Sequence, residues 1–397
     1  MTNDPQPLSA VIVGCGVIAH NHVRAIAAHE GARVVGLVDP DQAAAARIAD
    51  LADEVGMPRP RCFADLADAL AELSPDIVVI ATPSGLHVAL AEQALASGAN
   101  VIIEKPLDVS VPVGRRMREL AADAERRGLV VSVISQHRFD PASVVVANAL
   151  RDGTFGRLTS AVASVAWWRS QEYYDSGQWR GTWELDGGGS VMNQGVHTVD
   201  LLVWFLGRPI AVYAHTARLA HERIAVEDVA VATVRFESGA LAVLHATTAA
   251  YPGLTVRVQV HGSEGSAVIE DDQLAYFAGV GARGGDNADP TRSAENHADE
   301  LVEPAHRYGN PREADAFVQA HRRQYDDIID AIRTARAPGV TVDAALRSLA
   351  VVRALYVSAT VGREVAIDDV LSGAYDDVQT RTEFTEPAEA VATAGKY

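Results

Sequence analysis

The stretch Ala10-Val11-Ile12-Val13-Gly14-Cys15-Gly16-Val17-Ile18-Ala19 decides the fold. An apolar run of the kind buried on both faces of a sheet stops at a G-x-G-x-x-A loop, and a helical pattern over 17–29 starts inside that loop. Asp39 stands 20 residues beyond Ala19, at the end of the next apolar run. Strand, glycine loop, helix, strand and acid together make the dinucleotide-binding fingerprint. Gly14 permits the tight turn, Gly16 lets a pyrophosphate approach the backbone, and Ala19 keeps helix and strand close. Val17 and Ile18 open the helix whose free N–H groups face the phosphates. Asp39 can accept hydrogen bonds from ribose hydroxyls and repels a 2′-phosphate, so NAD is expected, with NADP as the alternative. Cys15 has no role in the fingerprint and reads as a small, semi-buried thiol.

Outward from this loop the alternation continues. Apolar runs at 33–38, 77–81, 101–104 and 130–135, with a short strand at 61–63, are separated by helical patterns at 41–55, 64–73, 86–97 and 110–127. That is an α/β fold with a doubly wound parallel sheet. After Pro141 the pattern changes. A helix at 141–151 and a strand at 158–168 lead into an aromatic, glycine-rich stretch and a helix over about 190–206. Strands then follow in series at 210–216, 228–236, 240–247, 255–261 and 266–270, with tight-turn signals at 238–239 and 262–265, as in a mostly antiparallel sheet. The polar segment 281–312 reads as a long surface excursion. Two late helices, 314–335 and 342–361, precede an acidic tail.

Composition narrows the function classes. The chain has 397 residues, a formal net charge of −18 and 48% hydrophobic residues. The acidic balance argues against nucleic acid and against anionic membrane surfaces. No apolar run approaches the ~18–20 residues of a membrane span, and the N-terminus carries no secretory pattern. Two cysteines, Cys15 and Cys62, are too few for a disulfide framework, so the cytoplasm is expected. His215, His221, His245 and His261 lack ligand spacing, and no metal is expected. Of the 34 basic residues only Lys105 and Lys396 are lysines.

Lys105 sits in Glu104-Lys105-Pro106, at the carboxyl end of the fifth parallel strand, where open α/β sheets bind ligands. An ammonium can exchange a proton and shifts its pKa on desolvation; a guanidinium does neither, which gives the lone internal lysine a chemical role. The segment from Gly187 to Asp200 places Asn193 and His197 at i, i+4 on one helix face. Asp200 is spaced to orient His197 or to pair elsewhere. All five tryptophans fall between Trp167 and Trp204, among Arg169, Tyr173, Tyr174 and Arg180. Trp168 and Arg180 are candidates for a polyhydroxylated ligand, since indole faces stack on sugar C–H faces, although core packing accounts for some of these rings. His321-Arg322-Arg323 reads as a solvated helix face.

Together these pieces resemble the Gfo/Idh/MocA family, the glucose–fructose oxidoreductase and inositol dehydrogenase group. The matching features are the glycine loop, Thr82-Pro83 followed by His87, Glu104-Lys105-Pro106, and the G-G-G…G-x-H-x-x-D segment. The resemblance implies an NAD-binding domain over 1–137, a substrate-binding and oligomerisation α/β domain with an open, mostly antiparallel sheet over 138–372, and an acidic tail over 373–397. It implies hydride transfer between a nicotinamide cofactor and a carbinol of a sugar, sugar derivative or cyclitol, in a homodimer or homotetramer. Lys105 would bind the reacting oxygen and His197 would exchange its proton. Thr82, Pro83, His87 and Glu104 would line the cofactor, and Gln136, His137 and Arg138 would lie near the crevice, Arg138 with Asn193 among the substrate contacts. Inositol-dehydrogenase-like members carry Asp where this chain has Asn193; the form here is closer to members acting on sugar nucleotides or modified hexoses. A glycoside-cleaving relative using NAD transiently and a sugar sensor without turnover stay open as alternatives.

Overall fold

The computed structural model describes residues 6–279 and 295–380. Six parallel strands form the first sheet: β1 (Leu8–Val13), β2 (Ala32–Val38), β3 (Arg61–Phe63), β4 (Ile77–Ile80), β5 (Asn100–Ile103) and β6 (Val131–Val133), in the order β3-β2-β1-β4-β5-β6. Because side chains alternate along a strand, Ala10 and Ile12 pack with the helix Val17–Ala27 on one face, while Val11 and Val13 join the core on the other. The strand order reverses between β1 and β4, which opens the crevice above Gly14 and Thr82. Asp41 and Asp65 cap the helices after β2 and β3 through side-chain hydrogen bonds to Ala43 and Ala67 N–H, each cap worth roughly 0.5–2 kcal/mol.

The second sheet holds β7 (Leu158–Ala166), β8 (Pro209–Ala217), β9 (Val229–Phe236), β10 (Leu241–Thr247), β11 (Val256–Gly262), β12 (Ser266–Glu270), β13 (Gln273–Ala278) and β14 (Val365–Ala366). Its order is β13-β12-β11-β7-β10-β9-β8-β14, antiparallel except for the β7–β10 pair. The strands therefore do not lie in serial order: β7 comes first in the chain, yet it sits between β11 and β10, two strands that come later.

Two expectations change. The helix Ala316–Thr334 does not stay with the second sheet; Val318, Tyr325, Ile328 and Ile329 are buried in the core of the first, beside the dinucleotide-loop helix. His321 within it is fully buried rather than solvated. The helix Val342–Val361 is long and apolar enough to cross a membrane by length and composition, contrary to the sequence expectation. Here its apolar surface is taken up by protein, with Leu346, Leu349, Val351 and Leu355 all in the core. Most of the acidic tail and residues 281–294 of the excursion lie outside the described residues; the rest of the excursion holds the short helices Ala298–Leu301 and Pro304–His306. Where the tail begins, Asp376 pairs with Arg115 and Tyr375 packs against the core.

Candidate active site

The glycine loop has the shape of a dinucleotide cradle. Gly14 adopts φ +93°, and a β-carbon there would lie 2.6 Å from the Ala81 carbonyl oxygen, so strand β4 can come this close only to glycine. Nothing lies within 4 Å of the corresponding position on Gly16, which leaves open space above the loop. Gly16 caps the helix Val17–Ala27 without a side-chain bond, so its first N–H groups remain available to an anion. Val17 is 81% exposed at this edge. Asp39 accepts the Cys15 N–H and the Asp41 N–H, each at 2.8 Å, which holds its carboxylate beside the loop. Burial, followed by Asp39, pushes the Cys15 thiol up to about 12, so it is inert. Thr82 Oγ1, in the loop after β4 that meets Gly14, is buried without a hydrogen-bond partner, and Pro83 follows it. These features fit a bound dinucleotide.

Two residues expected along the cofactor, His87 and Glu104, have buried side chains bonded within the protein. His87 is buried, with Nδ1 at 2.9 Å from the Pro106 carbonyl oxygen and Nε2 at 3.0 Å from that of Thr82. Its ring ties the loop after β4 to the segment after Lys105. The Glu104 carboxylate is buried against His22 Nε2 at 3.0 Å and His321 Nε2 at 3.6 Å, and accepts the Lys105 N–H at 3.0 Å. Burial would raise its pKa, but the two histidines hold it well below the usual carboxylate range. Two groups of metal-ligand residue types thus assemble that spacing did not show, His22–Glu104–His321 and His137–Asp140–Asp272.

Lys105 and His197 border one small cavity with Pro106, Ser135 and Asp200. Lys105 Nζ lies 3.3 Å from the Asn193 carbonyl oxygen, which it can donate to. The segment carrying Asn193 begins as a π-helical turn, Ser190–Gly195, before the α-helix Val196–Leu206, an irregularity frequent at functional sites. Buried Glu227, absent from the sequence reading, holds this turn: it accepts the Gly189 and Val191 N–H groups at 2.9 Å and the Tyr356 hydroxyl at 3.0 Å. A β-carbon on Gly189 would lie 1.7 Å from the Glu227 carbonyl oxygen, which explains the glycine. The Asn193 amide donates to Asp186 at 2.8 Å. A carboxylate therefore does reach this part of the site, from seven residues earlier, and burial pushes it up to about 6.

His197 is held well below the usual histidine range by burial, then by the positive charges of His137 and Lys105. His137 meets its ring edge-on at 4.9 Å. Burial lowers the pKa of His137, but Asp272 and Asp140 outweigh it and raise it to about 10. The imidazole of His197 is thus held in its neutral form at a cavity it shares with Lys105, whose own pKa burial lowers.

Arg138 is no substrate contact. It is 6% exposed, and its guanidinium forms a two-bond fork to Asp200, both at 2.6 Å, over the Trp204 ring. Asp200 accordingly serves Arg138, Ser135 and Ser348 rather than His197. Asp200→Ala leaves a buried, unpaired guanidinium and should lower stability by about 3–5 kcal/mol in urea unfolding; a loss under about 1 kcal/mol would show that the pair is dispensable. Trp168 packs on His221 and Tyr251. Trp167 and Trp179 lie instead under Arg169 and Arg180.

Fold and site define a nicotinamide-nucleotide oxidoreductase. The family model described as "Oxidoreductase family, NAD-binding Rossmann fold" matches residues 8–134, and the GFO/IDH/MocA C-terminal domain matches 144–268. The chain belongs to the GFO/IDH/MocA family. It is 27% identical to D-apiose dehydrogenase of Paraburkholderia graminis, over 92% of this chain and 91% of that one. It is 26% identical to inositol 2-dehydrogenase of Rhizobium meliloti, over 66% and 75%. Among solved structures, the WlbA dehydrogenase of Bordetella pertussis, in complex with NADH and UDP-GlcNAcA, is 32% identical with a TM-score of 0.76, covering 91% of this chain and 98% of that one. The protein is an NAD-binding oxidoreductase whose relatives act on sugar-like substrates.

Proposed function

We propose that the protein oxidises or reduces a carbinol of a sugar, sugar derivative or cyclitol, with Lys105 and His197 handling the hydroxyl proton. The observation that carries this is the convergence of a desolvated lysine and a neutral histidine on one cavity at the carboxyl ends of β5 and β6. Bound NAD supplies the hydride acceptor. In the oxidation direction His197 takes the hydroxyl proton, and the Lys105 ammonium donates a hydrogen bond to the oxygen as negative charge builds on it. Asn193, fixed by Asp186, holds the turn against Lys105.

NADH formation, followed by absorbance across neutral sugars, sugar acids and cyclitols, tests the reading. Release of an aglycone without net NADH would move it to the glycoside-cleaving relatives. Asp39 favours NAD over NADP in this proposal. Asp39→Asn keeps the shape and removes the charge, and should shift the NADH-to-NADPH affinity ratio toward NADPH by about tenfold or more; an unchanged ratio in fluorescence titrations would remove Asp39 from cofactor choice. Exposed Tyr213, Val231, Leu241 and Val243 on the second sheet support pairing of copies through that face.

A further inference from the structure

The chain has more acids than bases, and many of its arginines are matched to carboxylates, as Arg138 is to Asp200, Arg323 to Asp140 and Arg336 to Asp327. Arg169 and Arg180 are held in another way. Neither forms an ion pair among the described residues, and the Arg169 Nε is buried with no hydrogen-bond partner. Both guanidinium groups are nonetheless held in place. Arg169 lies 4.9 Å from the Trp167 ring centre and 5.2 Å from that of Tyr173. Arg180 lies 4.3 Å from Tyr173 and 4.4 Å from Trp179, and donates to the Tyr173 hydroxyl at 2.7 Å. Stacking fixes a guanidinium plane and leaves its N–H edge free, the arrangement that receives carboxylate or phosphate oxygens in a planar fork.

The pair belongs to the crevice. The Tyr173 hydroxyl also accepts from Gln194 at 3.2 Å, and Gln194 adjoins Asn193, whose carbonyl faces Lys105. The Gln194 Oε1 is itself buried without a partner and can accept an O–H or N–H. The loop bearing Arg180 rests on the cofactor side: a β-carbon on Gly85 would lie 3.0 Å from the Glu184 carbonyl oxygen. Asp186 feels the Arg180 charge through space, but its oxygens are taken by the Gly181 N–H and the Asn193 amide, each at 2.8 Å, and it forms no ion pair with either arginine.

We propose that Arg169 and Arg180 seat an oxyanion of the substrate, so that the sugar presented to Lys105 and His197 carries a carboxylate or a phosphate. The inference rests on the functional reading above and specifies its substrate. Binding to the NADH-loaded full chain, followed by tryptophan fluorescence, tests it with D-glucose, D-glucuronate, the methyl ester of D-glucuronate, UDP-glucose and UDP-glucuronate. At least one charged ligand should bind about 10- to 100-fold more tightly than glucose and the ester. A gain with glucuronate alone assigns the subsite to a carboxylate; a gain with UDP-glucose assigns it to a diphosphate. Arg169→Gln and Arg180→Gln should each abolish the gain while NADH affinity, which reports the fold, is retained.

Equal binding of charged and neutral ligands to the wild-type protein would overturn the proposal, as would a preference that survives both substitutions. Oxidation of neutral sugars with no preference for charge would defeat this inference alone. Failure to bind or oxidise a sugar of either kind would defeat the functional reading with it.

Discussion

Lys105→Met is expected to lower turnover by about 10²- to 10⁴-fold, the range over which a positioned proton-handling group acts, with NADH affinity unchanged. Lys105 leaves the carboxyl end of β5 half-buried, and its Nζ reaches across to the Asn193 carbonyl. Burial lowers its pKa from the usual lysine range, against the pull of Glu104 and Asp186. The ammonium is the form that stabilises a developing alkoxide, so oxidation should fade as pH rises through that lowered value. Arginine at this position should not restore turnover, because a guanidinium neither gives up a proton nor fits the same point contact. The measurement is kcat beside a separate NADH titration. Near-normal kcat in the methionine variant would remove Lys105 from the chemistry.

His197→Gln should cost a comparable factor, and the pH profile distinguishes its role from packing. The proton acceptor must be neutral. Because His197 is held well below the ordinary value of 6.5, oxidation should lose activity only as pH falls through that depressed value. Burial sets it first; the charges of His137, Lys105 and His321 lower it further, and Glu104 pulls it up. His137 carries positive charge through neutral pH, since Asp272 and Asp140 raise it to about 10 despite burial. His137→Gln removes that charge and leaves two carboxylates nearby, and both changes raise the His197 pKa. The acid limb of the kcat profile should therefore move to higher pH. A limb that stays in place or moves down would mean that another group accepts the proton.

The residues that carried the family resemblance did so because their signals are local. Gly14 needs a positive φ, Asp39 ends a strand, and Lys105 stands out in an arginine-rich chain, all within a few residues of sequence. Arg138 was misread for the opposite reason. Its neighbours in sequence are crevice residues, but its partner Asp200 lies 62 positions away on another helix. The partners of His87 and Glu104 are likewise remote in sequence: the Pro106 carbonyl for His87, and His22 and His321 for Glu104.

The sequence by itself determined the two-sheet α/β class, the dinucleotide loop and the presence of Lys105 and His197, because strand and helix periodicity and glycine conformation are written within short windows. Only the tertiary structure decided that Glu227 anchors the π-helical turn, that Asp186 lies beside Asn193, and that the helix Ala316–Thr334 returns to bury His321 beside Glu104. It also decided which tryptophans lie under arginines. Those outcomes depend on which buried polar groups find partners across the packed interior, and the cost of leaving one unpaired is set by contacts between residues remote in the chain.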